Sequence, residues 1–342
     1  MAPLTLTWTH ITTSPILQRS SQILATTPTT AYIFGGELRP REPRDNTIHT
    51  VPLTPPSQPS TLSHPSTSPL PAPRVGTAST LLSSTKTLYI FSGRGGPSMT
   101  PLSDGPGALY SLPLSPPSPP PSWSLVSPAS PTAPVPEPRS YHALTSDGES
   151  KIYLHAGCPS SGRLRDLWSF DLPTKKWEKL PDAPGSERGG TSIAFADGRV
   201  WRVNGFDGKT EQGGALDVFD PKTGAWETET YPADGKQGPK ARSVGCLLSM
   251  EVGGREVLVT AFGEGEASDL GHEGAGKFFG DVWAWDVRDG GWEEVVQKGE
   301  RPERRGWFAA DVAGEGIGVV QGGLAEGNER LGDLWMFKIE SS

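Results

Sequence analysis

The chain has 342 residues, with 31 Lys and Arg against 39 Asp and Glu, a net charge of -8. That balance argues against a general nucleic-acid binder, which needs clustered cations for phosphate, and no window approaches the roughly 18 apolar residues of a membrane span. Two cysteines, Cys158 and Cys246, are too few for a disulfide framework and fit a reducing compartment. The N-terminus has neither the charged start nor the apolar core of a signal peptide, so a cytoplasmic protein is expected. Helix signals are scarce, and short runs rich in Val, Ile, Phe, Trp and Tyr lie between turn residues, so the chain reads as all-β.

Taken in order, the first run is LTLTWTHI (4–11), which carries Trp8. Unit one follows with Arg19-Ser-Ser, AYIFGG (31–36) and NTIHTV (46–51). Unit two has Arg74-Val-Gly, LYIFSG (88–93), GALYSL (107–112) and Trp123. Unit three has Arg139-Ser-Tyr-His, IYLHAG (152–157), DLWSFD (166–171) and Trp177. Unit four has Arg188-Gly-Gly, VWRVNG (200–205), ALDVFD (215–220) and Trp226. Unit five has Arg242-Ser-Val, VLVTAFG (257–263), DVWAWD (281–286) and Trp292. Unit six has Arg305-Gly-Trp, IGVVQGG (317–323) and DLWMFK (333–338), and there the chain stops.

Successive arginines are 55, 65, 49, 54 and 63 residues apart. Four short strands, a to d, in about 50 residues describe a kelch-type β-propeller blade. The sixth unit lacks strand d, and the N-terminal run supplies one. The expectation is therefore a six-bladed propeller in one domain, 1–342, with its last blade closed by the N-terminal strand. Of the 35 prolines, 22 lie between 51 and 138. The Pro-rich stretches at about 52–73 and 113–138 read as surface insertions in blades one and two.

Alternating strand direction puts the b–c loops and the d-to-a connections at the same end of the ring, where a ligand site is expected. The blade-five loop runs from Glu264 to Lys277 and holds Glu264, Asp269 and His272. Two carboxylates and an imidazole suit Fe(II), with Mn or Zn as competitors; a solvated polar loop is the plain alternative. Arg94 and Arg163 follow the b strands of blades two and three, and guanidinium groups bind sulfate, phosphate or carboxylate. For Arg163 or Arg165, pairing with Asp166 or a neighbouring loop is the alternative. The six arginines that open the units are expected to bridge blades structurally. Tyr141 and Trp307, two residues after theirs, suit either a channel-mouth wall or blade packing. His142 and His155 are expected in the core, Cys158 and Cys246 in packing, and Lys222 and Lys236 in solvent. No nucleophile elbow, CxxC pair, P-loop or dinucleotide fingerprint is present.

The segments RSYHAL, GRLRDLWSFD, SDLGHEGAGKF and RGWFAA resemble the kelch specifier proteins of glucosinolate breakdown, namely the nitrile-specifier, epithiospecifier and thiocyanate-forming proteins. The resemblance implies iron(II) held by Glu264, Asp269 and His272, with Glu266 as a substitute for Asp269, which lies one step past the family's spacing. It also implies sulfate contacts from Arg94 and Arg163 as the catalytic pair, and substrate contacts from Tyr141 and Trp307. The implied reaction breaks a thiohydroximate-O-sulfate, released by a separate thioglucosidase, to a nitrile. A monomer without nucleic-acid or membrane partners is expected. Two alternatives stay open: a kelch lyase or isomerase on another specialised metabolite, and a non-catalytic protein-interaction scaffold.

Overall fold

The computed structural model describes residues 3–63, 69–114, 121–268, 270 and 274–341. Among them the sole helix is one 3-10 turn, Pro15–Leu17, and none is long and apolar enough to cross a membrane. Six antiparallel sheets form the blades. Blade one is Ser20–Thr26, Thr30–Arg39, His49–Pro52 and Ser60–Thr61; blade two is Ala78–Leu82, Thr87–Phe91, Leu109–Pro113 and Ser124–Val126. Blade three is Ala143–Ser146, Lys151–Gly157, Leu164–Asp171 and Lys176–Leu180; blade four is Ser192–Ala196, Arg199–Val203, Ala215–Asp220 and Ala225–Thr230. Blade five is Leu248–Val252, Arg255–Ala261, Val282–Asp286 and Trp292–Glu294; blade six is Ala309–Gly314, Ile317–Gln321, Asp333–Ser341 and the N-terminal Leu4–Thr13.

The b strands are apolar runs buried on both faces, as a central strand between two blades must be. Strand d faces water, and Ala225–Thr230 is exposed along almost all its length. Closure of the ring rests on Leu4–Thr13, which pairs antiparallel with Asp333–Ser341 and parallel with Val296–Lys298 of the blade 5–6 connection. Its Trp8 meets Phe337 edge-on at 5.1 Å and Phe262 of blade five at 5.8 Å, joining the two blades through one apolar cluster. The two Pro-rich stretches are not wholly outside the blades, because they carry the fourth strands Ser60–Thr61 and Ser124–Val126.

Two closed circuits of backbone hydrogen bonds surround the axis. In the inner one, Ser21, Gly76, Tyr141, Gly190, Val244 and Trp307 each donate their N–H to the carbonyl of the preceding member, at 2.7–3.1 Å. All of them are left-handed, with φ between 48° and 61°. In the outer circuit the glycine after each strand b donates to the carbonyl of the next blade's opening arginine, at 2.8–2.9 Å. Gly263 illustrates why glycine stands there. Its φ is +93°, and a Cβ would lie 2.7 Å from the Ser243 carbonyl oxygen.

The opening arginines were expected to bridge blades, and it is their carbonyls that do so. Their buried guanidinium groups hydrogen-bond inside their own blade, though that of Arg305 also lies 5.9 Å from the centre of the blade-five Phe262 ring. Arg242 donates to the Phe262 carbonyl at 2.8 Å and to both Asp281 carboxylate oxygens at 2.6 and 2.8 Å. Arg74, Arg139 and Arg305 repeat the fork on Asp104, Asp166 and Asp333, and Arg19 reaches Asp45. A fully desolvated cation needs such a partner near at hand. Blade four departs, with Ala215 where the acid would stand, and its Asp217 pairs with the buried Arg202 instead.

Candidate functional site

The inner circuit is where the chain presents side chains to the channel. At the b–c end a cavity of about 220 Å³ is lined by Tyr141, Cys158, Arg163, Phe206, Glu264 and Trp307, together with Gly189, Gly190, Ser243, Val244, Ala267 and Ser268. A neighbouring cavity of about 240 Å³ shares Tyr141 and contains Glu37, Arg41 and Arg94. Two repeat positions build this end. One is the inner-circuit residue, which supplies Tyr141 and Trp307. The other is the residue directly after the strand-b glycine, which is Glu37, Arg94, Cys158, Phe206, Glu264 and Leu324 in turn. Each of these bridges, backbone to backbone, to the residue that follows its own blade's opening arginine.

Arg163 makes no hydrogen bond or ion pair with any described residue. Asp166, its expected partner, is taken by Arg139 and by the Trp168 indole at 2.8 Å. Arg165 turns instead to the Gly185 carbonyl at 3.1 Å. The Arg163 guanidinium lies 5.1 Å from the centre of the Phe206 ring. Gly208 leaves room for it, since a Cβ there would collide with the guanidinium. Among the described residues, the one hydrogen-bond contact of the Arg94 side chain is a long one, 3.5 Å, to the Pro159 carbonyl. Both arginines act on the Cys158 thiol, which burial still pushes up. Cys158 therefore lines the site and does not merely fill the blade.

Glu264 is 5% exposed, and its Oε1 is shut off from water without a well-aligned hydrogen bond. Burial, reinforced by the nearby Glu211, pushes its carboxyl up to about 8, and the Gly276 backbone offsets only part of this. Glu211 is pushed up to about 7, again by burial first, with Ser243 and Arg163 pulling the other way. Both of its carboxylate oxygens are likewise shut off without a well-aligned partner. Glu266 points elsewhere, as an exposed residue paired with Lys277 at 2.6 Å. Asp269 and His272 lie outside the described residues. Among the described residues no group of three or more His, Cys, Asp or Glu has a metal-holding arrangement.

Sequence reasoning placed Arg163, Tyr141, Trp307 and Glu264 at one end of the ring, and they share one cavity; Arg94 sits in the adjoining one. It missed Glu211, Phe206 and Cys158. His142 and His155 are buried, as expected, and Lys222 and Lys236 are exposed. A larger opening, about 600 Å³, lies at the opposite end, lined by Asp147, Asp197, Glu256 and Asp311 among others. Those four acids are already engaged. Asp147 accepts the N–H groups of 149–151, Asp197 pairs with Arg199, Glu256 accepts from Asp197 and Ser249, and Asp311 accepts from Thr26.

The profile of the KLHDC2/KLHL20/DRC7 Kelch-repeats domain matches residues 21–263. The chain is 28% identical over 232 residues to N-(sulfonatooxy)prop-2-enimidothioate sulfolyase of Thlaspi arvense, covering 60% of this chain and 64% of that protein. It is 26% identical over 217 residues to tRNA wybutosine-synthesizing protein 4 of Aspergillus fumigatus, covering 59% of this chain and 18% of that protein. The chain thus spans less than two thirds of the length of either relative. Among solved structures, one titled "Structure of YjhT" superposes with a TM-score of 0.68 over 95% of both chains at 15% identity, a likeness of fold alone.

Proposed function

The chain belongs to the kelch-repeat family, and from that premise we propose that it is a specifier-type lyase acting on a small anionic, sulfur-bearing metabolite. The observation that carries this reading is the meeting of an unpaired guanidinium, two aromatic walls and a buried carboxylate in one cavity: Arg163, Tyr141, Trp307 and Glu264. The distant sulfolyase relative supports the same class of substrate, a thiohydroximate-O-sulfate.

In this reading Arg163, assisted by Arg94 from the adjoining cavity, binds the sulfate and takes up its charge as the N–O bond breaks. Tyr141 and Trp307 hold the organic part and exclude water. The C–S electron pair becomes the third C–N bond while the N–O pair leaves with the sulfate, so that the thiohydroximate-O-sulfate yields a nitrile, sulfate dianion and neutral sulfur released as elemental sulfur. A divalent iron fits the donor set, because Glu264 presents a buried oxygen with no good partner of its own. Asp269 and His272 enter from the sequence alone. Such an ion, when bound, supplies a Lewis acid for the sulfur. Arg163, part-exposed and without a partner among the described residues, and Glu264, a buried acid, would otherwise have nothing to serve. Among the described residues the exposed large hydrophobics are few, namely Ile16, Leu38, Leu70, Leu125, Leu270 and Val296, which gives a scaffold reading little support.

The test is product analysis. Purified protein, a thioglucosidase and a glucosinolate are incubated with Fe(II) in anaerobic buffer, and nitrile is measured against isothiocyanate. Nitrile above the protein-free control, formed about 10- to 150-fold less efficiently by Arg163→Met, is the expected result. An unchanged product ratio over a panel of side chains would sink the proposal.

A further inference from the structure

The six-fold repeat allows one blade's loop to be read against another's. In blade six, Arg330 bridges backbone to backbone with the post-glycine residue Leu324, and the next residue donates its N–H to the Gly323 carbonyl at 2.8 Å. In blade four, Glu211 bridges in the same way with Phe206, and Gln212 donates to the Gly205 carbonyl at 2.7 Å. Arg330 and Glu211 therefore occupy one repeat position. From that position Arg330 reaches across to the post-glycine residue of the next blade, Glu37, at 3.2 Å, and the pair is buried. The post-glycine residue of the blade after Glu211 is Glu264. Where the blade 6–1 junction sets a cation against a buried acid, the blade 4–5 junction sets a second acid.

The surroundings supply little to neutralise the pair. Ser243 links the two loops: its backbone exchanges hydrogen bonds with Glu264 at 2.9 and 2.8 Å, and its side chain is the donor that acts on Glu211. Among the described residues neither glutamate has an ion-pair partner, and Arg163 acts on Glu211 only at longer range. Two carboxylates closed off from water, each with unsatisfied oxygens, are costly unless a cation or a proton stands between them.

We propose that Glu211 and Glu264 together form a divalent-cation site across the blade 4–5 junction, in which Glu211 supplies a ligand from outside the blade-five loop. This deepens the reading above and rests on it, since Glu264 is the shared ligand. The hard oxygen donors suit Fe(II) or Mn(II). A ligand from a second blade also fixes the ion to the propeller frame rather than to one loop.

The experiment is anaerobic titration of the full chain with Mn(II), followed by electron paramagnetic resonance, and with Fe(II), followed by calorimetry. Wild type is compared with Glu211→Gln, Glu264→Gln and Glu211→Arg, with thermal melting of each to confirm folding. The expected result is one ion per wild-type chain and affinity weakened at least about tenfold by either glutamine substitution. Glu211→Arg, which copies the Arg330–Glu37 pairing, would abolish binding and raise the melting temperature of the metal-free chain. Wild-type affinity in Glu211→Gln, with binding lost in Glu264→Gln, overturns this proposal and leaves the metal reading intact. A wild type that binds neither ion overturns both.

Discussion

Arg163 and Arg139 lie in the same blade, carry the same side chain, and are expected to respond oppositely to the same substitution. Arg139→Met removes bonds to both Asp166 oxygens at 2.6 and 2.9 Å and to the Ala156 and Glu137 carbonyls at 3.0 Å each. It leaves Asp166 half-sheltered with the Trp168 indole as its remaining side-chain donor. Breaking a buried pair in this way costs about 3–5 kcal/mol. Arg163→Met removes a guanidinium that has no hydrogen-bond or ion-pair partner among the described residues, and the methionine retains contact with Phe206. Its stability cost should stay under about 1 kcal/mol, the scale of an exposed cation–π contact. The loss should instead fall on catalysis. One charge-assisted hydrogen bond to a departing sulfate contributes about 1.5–3 kcal/mol, so kcat/KM for nitrile formation should drop about 10- to 150-fold. Urea unfolding and the nitrile assay, run on both variants, separate the two effects. If Arg163→Met unfolds as readily as Arg139→Met, Arg163 is a structural residue. If it is both stable and fully active, the sulfate role is wrong.

Gly263→Ala places a Cβ at φ +93° against the Ser243 carbonyl, whereas Gly254→Ala at φ +76° meets nothing within 4 Å. Urea denaturation should show Gly263→Ala losing about 1–3 kcal/mol, and Gly254→Ala losing less because it has only the backbone term. Equal losses would remove the outer circuit's claim on that glycine. His142 is buried edge-on to Phe91, and burial, with Arg139 adding to it, pushes the imidazole down to about 3. Above about pH 6.5 it is neutral folded or unfolded, and below that the unfolded chain alone takes up the proton. The stability it contributes is therefore lost as pH falls towards its folded value, by about 2 kcal/mol between pH 7 and 5. His142→Phe should lack that part of the acid slope, and an identical slope in melting experiments would contradict the burial.

The blades were legible because each repeats an arginine and a glycine-ended apolar run, joined in all but blade four by an aspartate that takes the arginine's fork, and each of those residues has a fixed task in the fold. The closing strand was legible for the same reason, since Trp8 stood where a blade still lacked its tryptophan. The site was less so. Arg94 and Glu264 stood out as charges directly after strand-b glycines and Arg163 as a cation further along its b–c loop, but Cys158 and Phe206 occupy the post-glycine place without a charge to mark them. Glu211 was invisible until the b–c loops were aligned through their hydrogen bonds, because those loops differ in length and hide the shared position. The arginine forks were misjudged for a physical reason. A fully buried guanidinium takes the nearest carboxylate, and the aspartate leading strand c of its own blade is nearer than anything across the junction.

The inner circuit gives a reason to expect chemistry at Tyr141 and Trp307 that packing alone does not. All of its members need a left-handed backbone, and Gly76 and Gly190 meet that need without strain. A tyrosine or tryptophan in the same conformation costs about 1–2 kcal/mol. Ser21 and Val244 carry a similar penalty, and of the four non-glycine members Tyr141 and Trp307 are the two that set an aromatic ring in the cavity wall. Tyr141 lies over Gly76, where a Cβ would fall 2.9 Å from its ring, and Trp307 meets Phe278 edge-on at 5.9 Å. Both contacts lie at the channel mouth, in the wall of the cavity that Arg163 and Glu264 enter. Strain kept at an aromatic wall, beside an unpaired cation and an unneutralised acid, is what a site built to hold a ligand rigidly requires.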